Sequence, residues 1–174
     1  MKKNFSIYNQ KPINSPFRYA GGKFYARKLI GSYIPDHENF VEPFVGGGSI
    51  FFYKNKTSSW INDSDKDLIN CYRIIKNNVD DLIDALDGEV ATKERHFYYK
   101  NQYTPTNNLE KAVRYYYLNR TSYSGIMKKE NCYFGYGEKY SMRPENWGRQ
   151  LMKNHLKLKD VKMTSWDFEK VINK

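Results

Sequence analysis

Residues 40–49 read FVEPFVGGGS, and this stretch decides the fold. The apolar residues before the glycines predict a buried strand, and the three glycines at 46–48 predict a tight turn. The apolar run IFFY follows at residues 50–53 and predicts the start of a helix. A strand, a glycine turn and a helix in this order leave bare backbone where a ligand can approach closely.

An acidic residue follows this stretch at the tip of the next predicted strand. Asp63 stands fourteen residues after Ser49 and ends the segment WIND. An acid in this position can accept hydrogen bonds from ribose hydroxyls, usually at a spacing of about 20 residues. The glycine turn and Asp63 together indicate a cofactor that contains a nucleoside.

Length and composition restrict the class of protein. The chain has 174 residues, of which 40% are hydrophobic and 17% aromatic, enough for one domain with a core. Its net charge of +10 favours a polyanionic partner, and a merely lysine-rich solvated surface is the alternative. The two cysteines and three histidines are too scattered for a disulfide framework or a metal site. Because no apolar run could span a membrane or form a signal peptide, we expect a cytoplasmic protein without membrane contact.

Strands and helices alternate along the predicted chain. This alternation predicts an α/β fold with a parallel sheet, whose ligand lies at the carboxyl ends of the strands. The three strand tips, near residues 43–44, 62–63 and 165–167, should converge on one crevice. The predicted strands cover residues 40–44, 59–62 and 161–164. The predicted helices cover residues 24–33, 49–53, 65–77, 79–86, 91–103, 109–118, 144–158 and 169–174.

Residues 119–143 follow a different pattern. They have no sustained period, and their tyrosines alternate with lysines and arginines between glycines. Cations can neutralise phosphates and planar rings can stack on bases, so this segment indicates a loop or hairpin that meets nucleic acid. The alternative is an ordinary surface hairpin whose aromatic side chains pack on their own domain.

Four short segments of the chain occur in the same order in a known family. They are FRYAGGK at residues 17–23, FVEPFVGGGS at 40–49, IND at 61–63 and NRTSYSG at 119–125. In these motifs the chain resembles the N-terminal part of the Dam-type family of adenine-N6 DNA methyltransferases, the D12 class. The resemblance implies an enzyme that transfers a methyl group from S-adenosylmethionine to adenine N6 in DNA.

The same resemblance implies a division of the chain. Its fold would be a Rossmann-like methyltransferase fold with an incomplete sheet and an inserted region of helices and a hairpin for target recognition. Residues 1–75 would form the N-terminal part of the cofactor-binding domain, and residues 76–158 the insert. Residues 159–174 would return to the cofactor-binding domain.

Cofactor-binding residues follow from the resemblance by position. Tyr19 would lie against S-adenosylmethionine, Lys23 would pair with its carboxylate, and Asp63 would hold its ribose. Asp167 would accept a hydrogen bond from the adenine amino group of S-adenosylmethionine. Ser49 would cap the helix after the glycine turn. Taken singly, several have ordinary alternatives, such as a helix cap for Asp63 or a solvated lysine for Lys23. The other residues assigned to the cofactor are Pro43, Phe44, Gly46, Gly48 and Phe168.

The resemblance also implies DNA-contacting residues within residues 119–143, which we call the recognition segment. Relatives that read GATC usually carry Asn and Arg where this chain has Ser124 and Lys128, so we do not expect GATC specificity. The residues assigned to DNA are Arg120, Tyr123, Ser124, Ile126, Lys128 and Lys129.

The tetrapeptide that does the chemistry in this family is not present. It is of the Asp-Pro-Pro-Tyr type, and this sequence contains no adjacent prolines. No catalytic residue is therefore assigned, and little methyl transfer is expected from the chain alone. A fragment of a longer protein, a natural truncation and one subunit of a split enzyme, completed by a second chain, all fit.

Two other functions are compatible with parts of the pattern. A non-catalytic DNA-binding remnant or partner subunit could retain the same fold and charge. A nicotinamide-dependent oxidoreductase would share the glycine turn and the acid, but the sequence lacks the last glycine of that fingerprint, since Ile50 and Phe51 follow Ser49.

Overall fold

The computed structural model describes residues 12–55 and 57–174, so the first eleven residues of the predicted N-terminal domain lie outside it. The strands are β1 (Asn39–Glu42), β2 (Ser58–Asn62) and β3 (Lys162–Thr164). The helices are α1 (Arg27–Tyr33), α2 (Ser49–Tyr53), α3 (Lys66–Asn77), α4 (Val79–Leu86), α5 (Lys93–Asn101), α6 (Asn108–Thr121), α7 (Trp147–Leu158) and α8 (Phe168–Ile172). These elements confirm the predicted strands and helices, and only their ends differ, by a few residues.

The three strands form one parallel sheet in the order β1–β2–β3. Val41 pairs with Trp60, and Trp60 pairs in turn with Lys162. Parallel strands need crossover connections, which α2 provides between β1 and β2 and a helical region provides between β2 and β3. The predicted α/β class with a parallel sheet is confirmed.

Helix α3 connects the sheet to the helical region. Asp65 begins it as the N-cap, where its carboxylate accepts from the backbone N–H groups of Asp67 and Leu68. Its buried side chains recur at helical spacing and belong to one apolar core that also includes residues of α6 and α7. The buried residues of α3 are Leu68, Ile69, Cys71, Tyr72 and Ile75. The sheet and the helices therefore share a core around α3.

Residues 122–143 form an irregular loop. Short 3₁₀ turns occupy Tyr123–Gly125 and Lys129–Asn131, and a single antiparallel bridge joins Ser122 to Phe134. The segment therefore turns back on itself without the paired strands of a regular hairpin.

Within the described part of the chain, no helix is long and apolar enough to cross a membrane.

The predicted cap at Ser49 is wrong. Helix α2 begins at Ser49, its N-cap is Gly48 with φ +71°, and no side chain caps the helix. The reason is that the glycine turn enters the helix through a left-handed residue, which removes the extended cap geometry that a serine needs.

Candidate cofactor site and its link to the recognition segment

One buried side chain, Asn62 at the end of β2, joins the three strand tips. Its Nδ2 donates to the carbonyl oxygens of Pro43 and Trp166, both at 3.0 Å. Its Oδ1 accepts from the hydroxyl of Thr164 at 2.7 Å and from the amide of Trp166 at 2.9 Å. The tips therefore form one fixed edge, and sequence reasoning assigned no role to Asn62.

The glycine turn lies on this edge, and two neighbouring side chains hold it. Gly46 has φ +47°, its N–H donates to Oδ2 of Asp63 at 2.9 Å, and its carbonyl accepts from the hydroxyl of Tyr72 at 2.9 Å. A Cβ on Gly48 would lie 2.8 Å from the hydroxyl oxygen of Tyr72. Glycine is thus required both by the backbone conformation and by the close packing.

Asp63 stabilises the turn and still has capacity for a ligand. Its second oxygen, Oδ1, accepts from the N–H of Asp65 at 3.1 Å. Each carboxylate oxygen has two acceptor sites, so both oxygens can take a further hydrogen bond from a hydroxyl. Asp63 is not the cap of α3, since Asp65 has that role.

The segment before α1 covers the glycine turn. The hydroxyl of Ser15 donates to the carbonyl of Gly47, and a Cβ on Gly46 would lie 3.2 Å from the Tyr19 ring. Tyr19 and Lys23 line a cleft of about 70 Å³ together with the three glycines. Burial raises the pKa of Tyr19, and Asp63 and Asp65 add to the effect, so the phenol stays protonated at neutral pH.

Glu42 is a lining residue of this cleft that the sequence analysis missed. Its Oε2 is buried without a hydrogen-bond partner among the described residues. Burial raises its pKa from the ordinary 4.5 to about 7, although Lys23, a backbone hydrogen bond from Phe51 and Lys54 all oppose the shift. Its position just before Pro43 in the quoted stretch was the available signal.

Aromatic rings and an acid occupy the other end of the edge. The rings of Phe44, after β1, and Phe168, after β3, lie 5.2 Å apart between centroids and are both exposed. Asp167 accepts from the N–H of Glu169 at 2.9 Å and so caps α8. The structure therefore brings the predicted cofactor residues to one edge, with Lys23 and Tyr19 beside the glycine turn and Phe168 beside Phe44.

Asn119 of α6 joins residues 17–23, the predicted cofactor segment, to residues 119–143, the predicted recognition segment. Its Oδ1 accepts from the N–H of Arg18 and its Nδ2 donates to the carbonyl of Arg18, both at 2.8 Å. A Cβ on Gly125, which has φ +72°, would lie 2.4 Å from the carbonyl oxygen of Arg18. The two segments, distant in sequence, therefore pack as one unit.

The predicted DNA-contacting residues differ in exposure. Tyr123, Lys128 and Lys129 are exposed, whereas Ser124 and Ile126 are half-buried, and Ser124 has a left-handed φ of 53°. Arg120 is buried, with Nε unpaired among the described residues. Burial lowers the pKa of the nearby Arg18, and the charge of Arg120 adds to the effect. Arg120 therefore lies beneath the surface that the other residues present.

Comparison with known sequences gives the family. A sequence model of the D12 class N6 adenine-specific DNA methyltransferase family matches residues 19–174. The chain therefore belongs to this family, as its motifs predicted. Members of the family are enzymes that methylate adenine in DNA.

Individual relatives carry names that agree with the family. A Type II methyltransferase, M.MjaIII of Methanocaldococcus jannaschii, is 33% identical over 185 residues, covering 88% of this chain and 62% of the relative. M1.LlaDCHI of Lactococcus lactis subsp. cremoris, also a Type II methyltransferase, is 29% identical and covers 96% of this chain and 64% of the relative. The DNA adenine methylase of Escherichia coli (strain K12) is 30% identical over 116 residues, covering 64% of this chain and 42% of the relative. The chain thus spans less than two thirds of these relatives.

Proposed function

We propose that this chain binds S-adenosylmethionine and DNA and provides the cofactor and target-recognition part of an adenine-N6 DNA methyltransferase. The observation that carries the proposal is the glycine turn, whose Gly46 amide is held by Asp63 at the joined tips of three parallel strands. In open α/β sheets this edge is where nucleotide-type ligands bind. We further propose a Rossmann-like methyltransferase fold, with residues 76–158 as the recognition insert.

Each end of the edge suits one part of the cofactor. The ammonium of Lys23 would pair with the methionine carboxylate, and the carboxylate of Glu42 would accept from the methionine ammonium. Asp63 would accept from the ribose hydroxyls. Asp167 would accept a hydrogen bond from the adenine amino group of the cofactor, and Phe168 would pack on the cofactor's adenine ring.

The chemistry would be an in-line transfer. S-adenosylmethionine supplies an electrophilic methyl group when it is bound. Tyr19 and the glycine turn would fix the position of the methyl end, and the recognition segment would hold an adenine rotated out of the duplex. The amino nitrogen of the target adenine would take this methyl group as the carbon–sulfur bond breaks and S-adenosylhomocysteine leaves. The nitrogen would give up one proton to an acceptor outside these residues. The rate would come from this positioning.

Methyl transfer also needs hydrogen-bond acceptors for the amino group of the target adenine in DNA. The tetrapeptide that supplies them in the family is absent from these residues. We propose that the acceptors come from polypeptide outside the 174 residues, either in the same protein or in a second chain. The rival function is a DNA-binding protein that keeps the fold without catalysis, and cofactor binding separates the two.

Calorimetric titration of the chain with S-adenosylmethionine tests the proposal. We expect binding to wild type and a loss of affinity of at least about tenfold for Asp63→Ala, since one charged hydrogen-bond partner contributes about 1.5–3 kcal/mol. Asp63→Asn keeps one acceptor for the Gly46 amide and tests whether the loss comes from the ribose contact or from a disordered turn. Affinity for duplex DNA should stay nearly unchanged in both variants.

Asp84→Ala is the matched control, because Asp84 is an exposed carboxylate on α4, away from the sheet edge. No cofactor binding by a folded wild-type chain would contradict the proposed cofactor site. Equal loss of DNA and cofactor affinity in folded Asp63→Ala would contradict the separation of the two sites.

A further inference from the structure

A second, larger cavity lies outside the cofactor cleft, and its lining is cationic. It measures about 360 Å³ and is bounded by the start of α3, the end of α5, the middle of α6 and the loop after α6. Four cations line it: Lys100, Lys111, Arg114 and Lys129. Apart from Lys129, neither the motifs nor the cofactor site assigns these residues a role.

The positive charge of this cavity is only partly offset from within. Among the described residues, none of the four cations forms an ion pair with a carboxylate. Two acids, Asp65 and Asp67, also line the cavity, so four cations face two carboxylates and the lining keeps a net charge of +2. One oxygen of Asp65 accepts from the amides of Asp67 and Leu68, at 2.9 and 3.0 Å. An anionic ligand would therefore find unpaired cations there.

The remaining lining indicates which anion fits. Leu118, Met127 and Pro105 provide apolar surface, and no Asn, Gln, Ser, Thr or His is among the lining residues. The hydroxyl of Tyr115 points to Asp65, at 3.5 Å. Such a lining can hold phosphate oxygens and pack on a sugar, and it lacks the Asn and Gln amides that pair with adenine.

The position of the cavity favours a polymer over a free nucleotide. Lys129 lines the cavity and also belongs to the loop after α6. Lys100 Nζ lies 5.2 Å from the ring centroid of Tyr133, an exposed residue of the same loop. Asp65 also lines the cavity, and its backbone N–H donates a hydrogen bond to Oδ1 of Asp63 in the predicted cofactor site. The cavity therefore lies between the recognition loop and the cofactor edge.

We propose that this cavity binds one sugar–phosphate unit of the DNA backbone, independently of base sequence, and so anchors the duplex beside the cofactor. The inference rests on the DNA binding proposed above. Lys111 and Lys100 supply mobile charges for the phosphate. Arg114 shapes the wall, since its guanidinium donates to the carbonyls of Tyr99 and Lys100 at 2.8 and 3.1 Å.

The first experiment measures affinity for a fluorescent 20-base-pair duplex by anisotropy across a series of salt concentrations. Lys100→Gln and Lys111→Gln should each weaken binding roughly threefold to tenfold near 0.15 M salt and make the log–log salt slope shallower by about 0.9. Lys111→Arg should restore both values. Lys159→Gln is the matched control, because this exposed lysine precedes β3 at the opposite edge of the sheet. Arg114 is left unchanged because it also supports the end of α5.

Chemical protection gives a readout that does not depend on affinity. Acetylation of surface lysines, followed by mass spectrometry, should show that the duplex protects Lys100 and Lys111 and leaves Lys159 reactive. A duplex affinity and salt slope that are the same in Lys111→Gln, Lys100→Gln and Lys159→Gln would overturn the inference.

A further arm separates DNA from a free nucleotide. Millimolar AMP bound by wild type and lost in Lys111→Gln, with unchanged duplex binding, would identify a nucleotide site instead and overturn the proposal. If wild type itself fails to bind the duplex, the proposed DNA-binding function fails together with this inference. If wild type binds and only the lysine variants prove neutral, the cavity proposal alone fails.

Discussion

At the residue scale, Glu42 in the predicted cofactor cleft combines burial with an oxygen that is unpaired within the described chain. It stands at the end of β1, its Oε2 is buried without a partner among the described residues, and burial raises its pKa to about 7. Lys54 responds in the opposite direction, since burial lowers its pKa to about 8 although Glu42 opposes the shift. A carboxyl that is half protonated near neutral pH gives the cleft a charge that a ligand can change.

Replacement of Glu42 by glutamine should alter how stability depends on pH. Because the folded pKa is about 7 and the ordinary value is 4.5, the native protein holds a proton in this window that the unfolded chain has lost. Wild-type stability should therefore fall as pH rises from 4.5 through 7. Glu42→Gln lacks this loss and should be more stable than wild type by about 1–3 kcal/mol at pH 8, with a small difference near pH 5.

Urea unfolding at pH 5 and pH 8 measures this prediction. Glu38→Gln is the control, since Glu38 is exposed just before β1. A wild-type and a Glu42→Gln protein with parallel pH profiles would show that the carboxyl titrates at its ordinary pKa.

At the scale of the elements, the sheet edge depends on Asn62. The three strands have only three to five residues each, so their ladder hydrogen bonds alone leave the tips weakly fixed. Asn62 adds four hydrogen bonds that cross from β2 to Pro43 after β1, to Thr164 at the end of β3 and to Trp166 after β3. The geometry of the cofactor edge is therefore a property of the sheet together with one buried amide.

Asn62→Leu should destabilise the protein by about 2–4 kcal/mol, because it removes the buried amide and leaves the half-buried backbone groups of Pro43 and Trp166 without this partner. Asn62→Asp keeps the acceptor for Trp166 and loses the donors. Urea unfolding followed by tryptophan fluorescence reports the loss, since the indole of Trp60 donates to Thr164 at 2.8 Å beside this network. Asn77→Leu is the control: Asn77 is exposed, so this change should alter the free energy of unfolding by less than about 0.5 kcal/mol. Equal stability of Asn62→Leu and Asn77→Leu would contradict the role of the amide.

At the scale of the whole molecule, charge and packing bring the exposed cationic loop beside the predicted cofactor residues. The net charge is +10, and the exposed lysines of the loop after α6 lie on a segment that Asn119 and Gly125 pack against the cofactor segment. A polyanion attracted to the loop is thus brought to the side of the molecule that carries the glycine turn.

Changing Lys128 and Lys129 together to alanine should flatten the dependence of DNA affinity on salt by up to about two units of log–log slope. The physical reason is that each lost phosphate contact releases one fewer counterion. The double change of Lys153 and Lys159 to alanine, which are exposed on and after α7, should leave the slope unchanged. An unchanged slope in the first double variant would remove the recognition loop from the contact surface.

Local sequence determined the elements and much of the cofactor edge. Helical spacing located α3 and α4. The run Gly46 to Gly48 predicted the turn because glycine adopts positive φ without steric cost, as Gly46 and Gly48 do. Asp63 was predicted as a ribose ligand from its place at a strand tip, and it lies beside the glycine turn. These signals depend on neighbours in the chain, and a single sequence contains them.

Only the tertiary structure decided how distant groups meet. The contacts of Asn62 with Trp166 and of Asn119 with Arg18 join residues about a hundred positions apart, and no period or spacing encodes such pairs. The burial of Arg120, the raised pKa of Glu42 and the cationic cavity beside α6 arise in the same way. Desolvation and hydrogen bonding depend on which surfaces pack together, so chain-local patterns specified the parts of this protein and packing specified the site they form.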